Sequence, residues 1–359
     1  MPPSVKFAVV LHGPEVVDTG LAMRVIGPLS KEGRVEAVMS GHTGVAAVID
    51  AGLEGLVDIK RTRKPSQELA RLSGSNDVLI LVNYAKNRES ALRFGSIVYS
   101  RCKKSVDKPL IQVDDGIIIE WNGKDMAITR RLASDLDLEI LAGNEPSDED
   151  EADEGQRRIL GVIPGEHIWI DGVVVGRITS TEVKLRKGES GMLEAEGVEL
   201  KQTGVDRLGD FDLVKAHVRS GSTRRTAAKA RSIDTKKSGA FFIDHSAETA
   251  VHKCQNAALV VTVGDDTSKI AGSLLFRFNV PIVAITDGDE DGISSEDLKA
   301  KGSVVVRVRP GTDDIVGREV HRTIFHGKGR IQGNPTPSSM AEEVVRIAGE
   351  RLVWCSVRD

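Results

Sequence analysis

Between Val5 and about Gly143 short runs rich in β-branched residues alternate with helix-length amphipathic stretches. No other feature of the chain restricts its fold as much, because this alternation is the pattern of a mostly parallel sheet covered by helices. The expected strands are Val5–Leu11, Val35–Met39, Val78–Asn83, Leu110–Val113 and Gly116–Glu120. Helices are expected over Thr19–Ser30, Val45–Ala51, Ser66–Leu72 and Ser90–Arg101. Pro109 before a strand and Gly33 after a helix are the punctuation such elements need.

At 359 residues the chain exceeds one ordinary core, and three changes of texture divide it. The Rossmann-like α/β pattern fills 1–145. The acidic run at 146–157 cannot bury apolar area and repels itself, so it reads as a solvated linker. Over 158–220 the texture becomes short strands with glycine turns, with Asp171-Gly172 as a hairpin signal, which predicts a small all-β domain. From 221 to 359 strand and helix alternate again, giving a second α/β domain.

Composition excludes several functions. Aromatic residues make up 4% and the net charge is −4, which disfavours a nucleic-acid platform. Cys102, Cys254 and Cys355 are far apart and lack CxxC spacing, so neither a disulfide framework nor a zinc site is expected. No stretch reaches about eighteen apolar residues, the length a membrane helix needs. The cytoplasm is the expected location.

The strongest candidate chemistry lies in the last third. Strands expected over Ala240–Ile243, Ala258–Val263 and Pro281–Ile285 are followed by Asp244, His245 and Glu248, by Gly264, Asp265 and Asp266, and by Asp287, Asp289, Glu290 and Asp291. Loops leaving the carboxyl ends of parallel strands converge at one edge. Crowded carboxylates repel unless a cation neutralises them, and Mg²⁺ prefers such oxygen ligands. A calcium EF-hand loop starting at Asp287 would need glutamate where Leu298 stands, which rejects that alternative.

Asp244, Gly264 and Asp287-Gly288-Asp289, in that order, resemble the Toprim domain, the metal-binding module of primases and topoisomerases. The likeness runs from about Gly239 to Arg318 and takes in Arg309-Pro310-Gly311-Thr312-Asp313-Asp314. It implies that Asp287 and Asp289 bind Mg²⁺ and that the first acid assists proton transfer or metal binding; that acid is glutamate in the family and Asp244 here, with Glu248 as a second candidate. Asp265 is a further candidate ligand. A Rossmann-like domain with solvated acidic turns is the competing fold. The whole chain also resembles an uncharacterised family of methanogenic archaea, through HGPEVVDTG, SGHTGVAAVIDAGL, GDDTSKIAGSLLFRF, VPIVAITDGDEDG and PGTDDIVGR. That resemblance implies no activity.

Other candidates are single turns and strips. Gly41, Thr43 and Gly44 form a glycine-bearing turn before a helix, where backbone N–H groups can cradle phosphate or simply cap the helix. Arg224, Arg225 and Lys229 belong to a basic strip suited either to phosphate oxygens or to a solvated face. His12 and His42, at strand ends, are candidate acid–base groups. Together these features lead to a Mg²⁺-dependent protein that binds or acts on phosphate esters, nucleotides or nucleic-acid ends, its partner a phosphorylated small molecule or nucleotide. A non-catalytic ligand-binding or scaffold protein is the alternative.

Overall fold

The computed structural model describes residues 5–41, 43–60, 63–124, 126–143, 156–159, 161–171, 173–188, 190–216, 218–221, 224, 226, 229–244, 253–288, 294 and 298–358. The acidic run at 146–157 lies outside the described residues save for its last two. Contacts divide the chain into two compact units, one of 1–48 and 54–227, the other of 49–53 and 228–359.

The first unit opens with β1 (Val5–His12), α1 (Glu15–Asp18), α2 (Leu21–Glu32), β2 (Gly33–Ser40), α3 (Thr43–Asp50), β3 (Val57–Asp58), α4 (Pro65–Ser73) and β4 (Val78–Val82). It continues with α5 (Arg88–Cys102), β5 (Leu110–Asp114), β6 (Ile117–Glu120), α6 (Met126–Leu136) and β7 (Glu139–Ala142). The seven strands form one sheet in the order β3-β2-β1-β4-β5-β6-β7. Strands β1 to β5 run parallel, and β5 turns through Asp115-Gly116 into antiparallel β6. Every residue of β4 and β5 is buried, which is why these strands read as apolar runs rather than as alternation. From β1 the chain builds outward first through β2 and then through β4, so the order reverses between β1 and β4.

The β-rich segment comprises β8 (Gln156–Ile159), β9 (His167–Ile170), β10 (Val173–Ile178), β11 (Val183–Lys187), β12 (Leu193–Glu196), β13 (Val198–Leu200), α7 (Gln202–Leu208) and β14 (Val218–Gly221). Two antiparallel sheets, β13-β10-β9-β14 and β12-β11-β8, enclose a core that includes Ile168, Ile170, Val175, Val183 and Leu185. Of the Asp171-Gly172 signal, Asp171 falls at the β9–β10 turn with φ +48°, and Gly172 lies outside the described residues. Lys86, after β4, reaches Glu166, before β9, at 2.5 Å, and both side chains are largely buried.

The second unit contains β15 (Ala240–Asp244), β16 (Leu259–Val263), α8 (Asp265–Leu275), β17 (Ile282–Thr286), β18 (Val304–Val308), α9 (Asp313–Thr323), β19 (Arg330–Ile331), α10 (Pro337–Ala348) and β20 (Leu352–Val357). Its sheet has the order β19-β15-β16-β17-β18-β20, with the four central strands parallel and both edge strands antiparallel. Val261, Val283, Ile285, Val304 and Val306 pack against Val316 and Val320 of α9 and Met340 and Val344 of α10. Among the described residues no helix is long and apolar enough to cross a membrane.

The thiols follow this packing. Burial raises the pKa of Cys102 to about 11 and that of Cys254 to about 12, whereas Cys355 on β20 is exposed, its pKa also raised by desolvation. Iodoacetamide acts on thiolate. Brief treatment of the native protein at pH 8 is therefore expected to add one label, at Cys355, with Cys102 and Cys254 labelled only in denaturant; peptide mass mapping reads the result.

Candidate functional site

In the second unit the carboxyl ends of β16, β17 and β18 meet through three loops built on glycine. Gly264 (φ +91°), Gly288 (φ +62°) and Gly311 (φ +74°) all take left-handed backbone that a side chain resists. The loops lace one another with carboxylates. Asp265, the first residue of α8, accepts the Gly288 N–H at 2.9 Å, and Asp287, just past β17, accepts the Gly311 N–H through Oδ2 at 2.6 Å. Asp313, in the first turn of α9, is buried with its carboxylate close to Gly264, since a Cβ built there would lie 3.9 Å from Asp313 Oδ2.

Asp287 is only 3% exposed, yet its Oδ1 has no hydrogen-bond partner among the described residues. The neighbouring Thr286 hydroxyl, at the end of β17, is fully buried and equally without one. A buried carboxylate oxygen left bare costs free energy that a ligand or ion can recover. Arg307 of β18 stands nearby, but its Nη2 donates to the Gly288 carbonyl at 3.0 Å, and its guanidinium fills the space a Gly288 side chain would need.

The expected edge is thus assembled in part. Asp265 and Asp287 sit on adjacent loops, joined by the hydrogen bond to Gly288. Asp244 ends β15, pairs in register with Val263 and presents an exposed side chain. Glu248 and Asp289 lie outside the described residues. Among the described residues no set of three His, Cys, Asp or Glu side chains is placed to hold a metal ion. The sequence alone gives Asp313 no role beyond its place in the Arg309–Asp314 stretch; the Asp313-Asp314 pair opening a helix is the signal that could have found it.

The phosphate candidates have other ties. The Gly41 N–H donates to the Arg63 carbonyl at 3.3 Å. A side chain at Gly44 would strike Met39 Sδ at 2.2 Å, so packing alone accounts for that glycine. Thr43 opens α3, and its side chain is not among those described. Arg224 is clamped in bidentate fashion on Asp18 of α1, Nε to Oδ2 at 2.7 Å and Nη2 to Oδ1 at 2.5 Å. Arg225 lies outside the described residues, and Lys229 is exposed in the second unit.

Residues 9–328 match a family model described as an uncharacterised protein conserved in archaea, DUF2117. The chain is 36% identical over 334 residues to an uncharacterised protein of Methanocaldococcus jannaschii, covering 89% of this chain and 91% of that one. No solved structure matches.

Proposed function

Starting from the chain's membership of the archaeal DUF2117 family, we propose that the carboxyl edge of the second unit binds Mg²⁺ and, through it, the phosphate of a phosphorylated small molecule or nucleotide. The observation that carries this reading is the bare Oδ1 of buried Asp287, whose other oxygen is anchored by Gly311. A carboxylate held in this way offers one oxygen without rotating. Mg²⁺ suits so sparse a set, because it keeps several waters and takes one or two carboxylates together with substrate phosphate. Asp287 and Asp265 are the proposed ligands among the described residues, and the Toprim resemblance adds Asp289. In that reading Asp244 or Glu248 takes the proton of an attacking group, and the chain acts on a phosphate ester. Lys229, of the same unit, remains a proposed phosphate contact of lower rank; Gly41, Thr43, Gly44, Arg224 and Arg225 belong to the first unit and are not counted among the contacts of this site, Arg224 being held by Asp18.

Thermal unfolding with and without 10 mM MgCl₂ tests the reading. A millimolar site stabilises the folded state by roughly 1.4 kcal/mol at tenfold saturation, which raises Tm by about 3–5 °C. Asp287→Asn keeps an acceptor for the Gly311 N–H while removing the charge, so it should fold and lose the Mg²⁺ shift. If the parent protein shows no shift, or the Asn variant keeps the full one, the non-catalytic ligand-binding reading replaces this one.

A further inference from the structure

On one face of the sheet in the first unit the side chains are apolar until the last row. Val38, Val10 and Leu81 belong to the core beneath α4 and α5, with Gln112 beside them on β5. Two residues on, and so on the same face, come Ser40, His12, Asn83 and Asp114. The register confirms the row: His12 pairs with Ser40, Leu11 with Val82, and Val82 with Val113. Four polar residues therefore lie side by side at the carboxyl edge of β2, β1, β4 and β5.

They are wired in one direction. Asp114 is buried and accepts from Asn83 Nδ2 (2.9 Å), Gln112 Nε2 (3.2 Å), the Ala85 N–H (2.6 Å) and the Asp115 N–H (3.0 Å). Asn83 must offer its NH₂ to that carboxylate, which turns its Oδ1 toward His12 Nδ1 at 2.9 Å. An amide oxygen only accepts, so Nδ1 carries the hydrogen and the lone pair falls on Nε2. The imidazole is fixed by stacking on Phe94 of α5, with centroids 4.4 Å apart. Burial lowers its pKa below the ordinary value, outweighing Asn83, Glu15 and Asp114, which raise it. On the other side of His12 the Ser40 hydroxyl is fully buried and has no partner among the described residues. The row also spans β1 and β4, where the strand order reverses, the position at which open α/β sheets hold ligands.

We propose that this row is a second binding site, separate in chemistry from the carboxylate edge, in which His12 Nε2 accepts a hydrogen bond from a hydroxyl of an uncharged polyhydroxylated molecule and Ser40 Oγ completes the contact. Anionic ligands fit poorly, since the charged groups acting on the imidazole are Glu15 and Asp114, both acidic. The class is a sugar or nucleoside, not its phosphate.

The test uses full-length protein labelled with ¹⁵N-histidine at pH 7. Two-bond correlations should report His12 as the neutral Nδ1–H tautomer. Titration with D-ribose and with adenosine should move the His12 Nε2 resonance for at least one of them, whereas ribose 5-phosphate and AMP should bind at least tenfold more weakly. Ser40→Ala should leave the tautomer intact and weaken the responding ligand about tenfold, the loss of one hydrogen bond. An Nε2–H tautomer, an Nε2 signal unmoved by either uncharged probe, tighter binding of the phosphates, or an unchanged affinity in Ser40→Ala each overturns the proposal.

Discussion

Asp18→Ala is expected to lower the unfolding free energy of the first unit by about 3 kcal/mol, read from urea denaturation followed by tryptophan fluorescence. Asp18 is 5% exposed and Arg224 16%, so water screens the pair poorly. The geometry is the strong kind, two parallel N–H···O bonds, and the Thr226 hydroxyl donates to the same Oδ2. Truncating the acid leaves a guanidinium in place without its carboxylate, and that desolvated charge dominates the cost. Asp18→Asn should fall between, keeping the shape and losing the charge. Replacing both partners by apolar residues, Asp18→Leu with Arg224→Met, should recover most of the loss, because no charge is then stranded. Should Asp18→Ala unfold at the parent's urea midpoint, the clamp contributes nothing and Arg224 returns to the phosphate candidates.

This clamp marks the limit of what the chain discloses by itself. Arg224 and Asp18 stand 206 positions apart, and no periodicity or spacing links them. Basic residues in a row read equally as a phosphate strip until a partner is placed beside them. The parallel strands were legible for the opposite reason: burial on both faces forces continuous apolar runs, as in β4 (VLILV) and β17 (IVAIT). Convergence of Asp265 and Asp287 was legible too, since carboxyl ends of parallel strands share an edge whatever their separation in sequence. By contrast β20 (LVWCSV) was missed although it opens on a short apolar run, because that run follows the closing helix directly and ends an edge strand on which Val353, Trp354 and Val357 stay exposed. Gly44 is ambiguous for a related reason: a glycine demanded by a neighbouring methionine looks the same in sequence as one demanded by a phosphate.

Gly95→Ala should destabilise the first unit by about 2–4 kcal/mol, although alanine is the better helix former by about 1 kcal/mol. A Cβ at this position in α5 would stand 1.7 Å from Gln112 Oε1 and 2.4 Å from the Trp121 ring. Neither neighbour can yield cheaply. Gln112 is fully buried; its Oε1 accepts the Trp121 Nε1–H at 3.1 Å, while its Nε2 donates to the Ala91 carbonyl and to Asp114. Rotating the amide would strand buried donors at about 1–3 kcal/mol each. Trp121 is tightly packed elsewhere too, since a side chain at Gly143 would come within 2.5 Å of its ring. The helix would therefore have to lift, and Phe94, the neighbour of Gly95, would lift with it from the His12 ring. The same substitution at Gly74, which ends α4 with helical backbone (φ −70°) and nothing within 4 Å of the new methyl, should instead be neutral or stabilise by up to about 1 kcal/mol. Opposite signs from one chemical change at two glycines of the same sheet layer would trace the cost to the Gln112–Trp121 contact. Equal urea midpoints for the two variants would mean that α5 does not press on that pair.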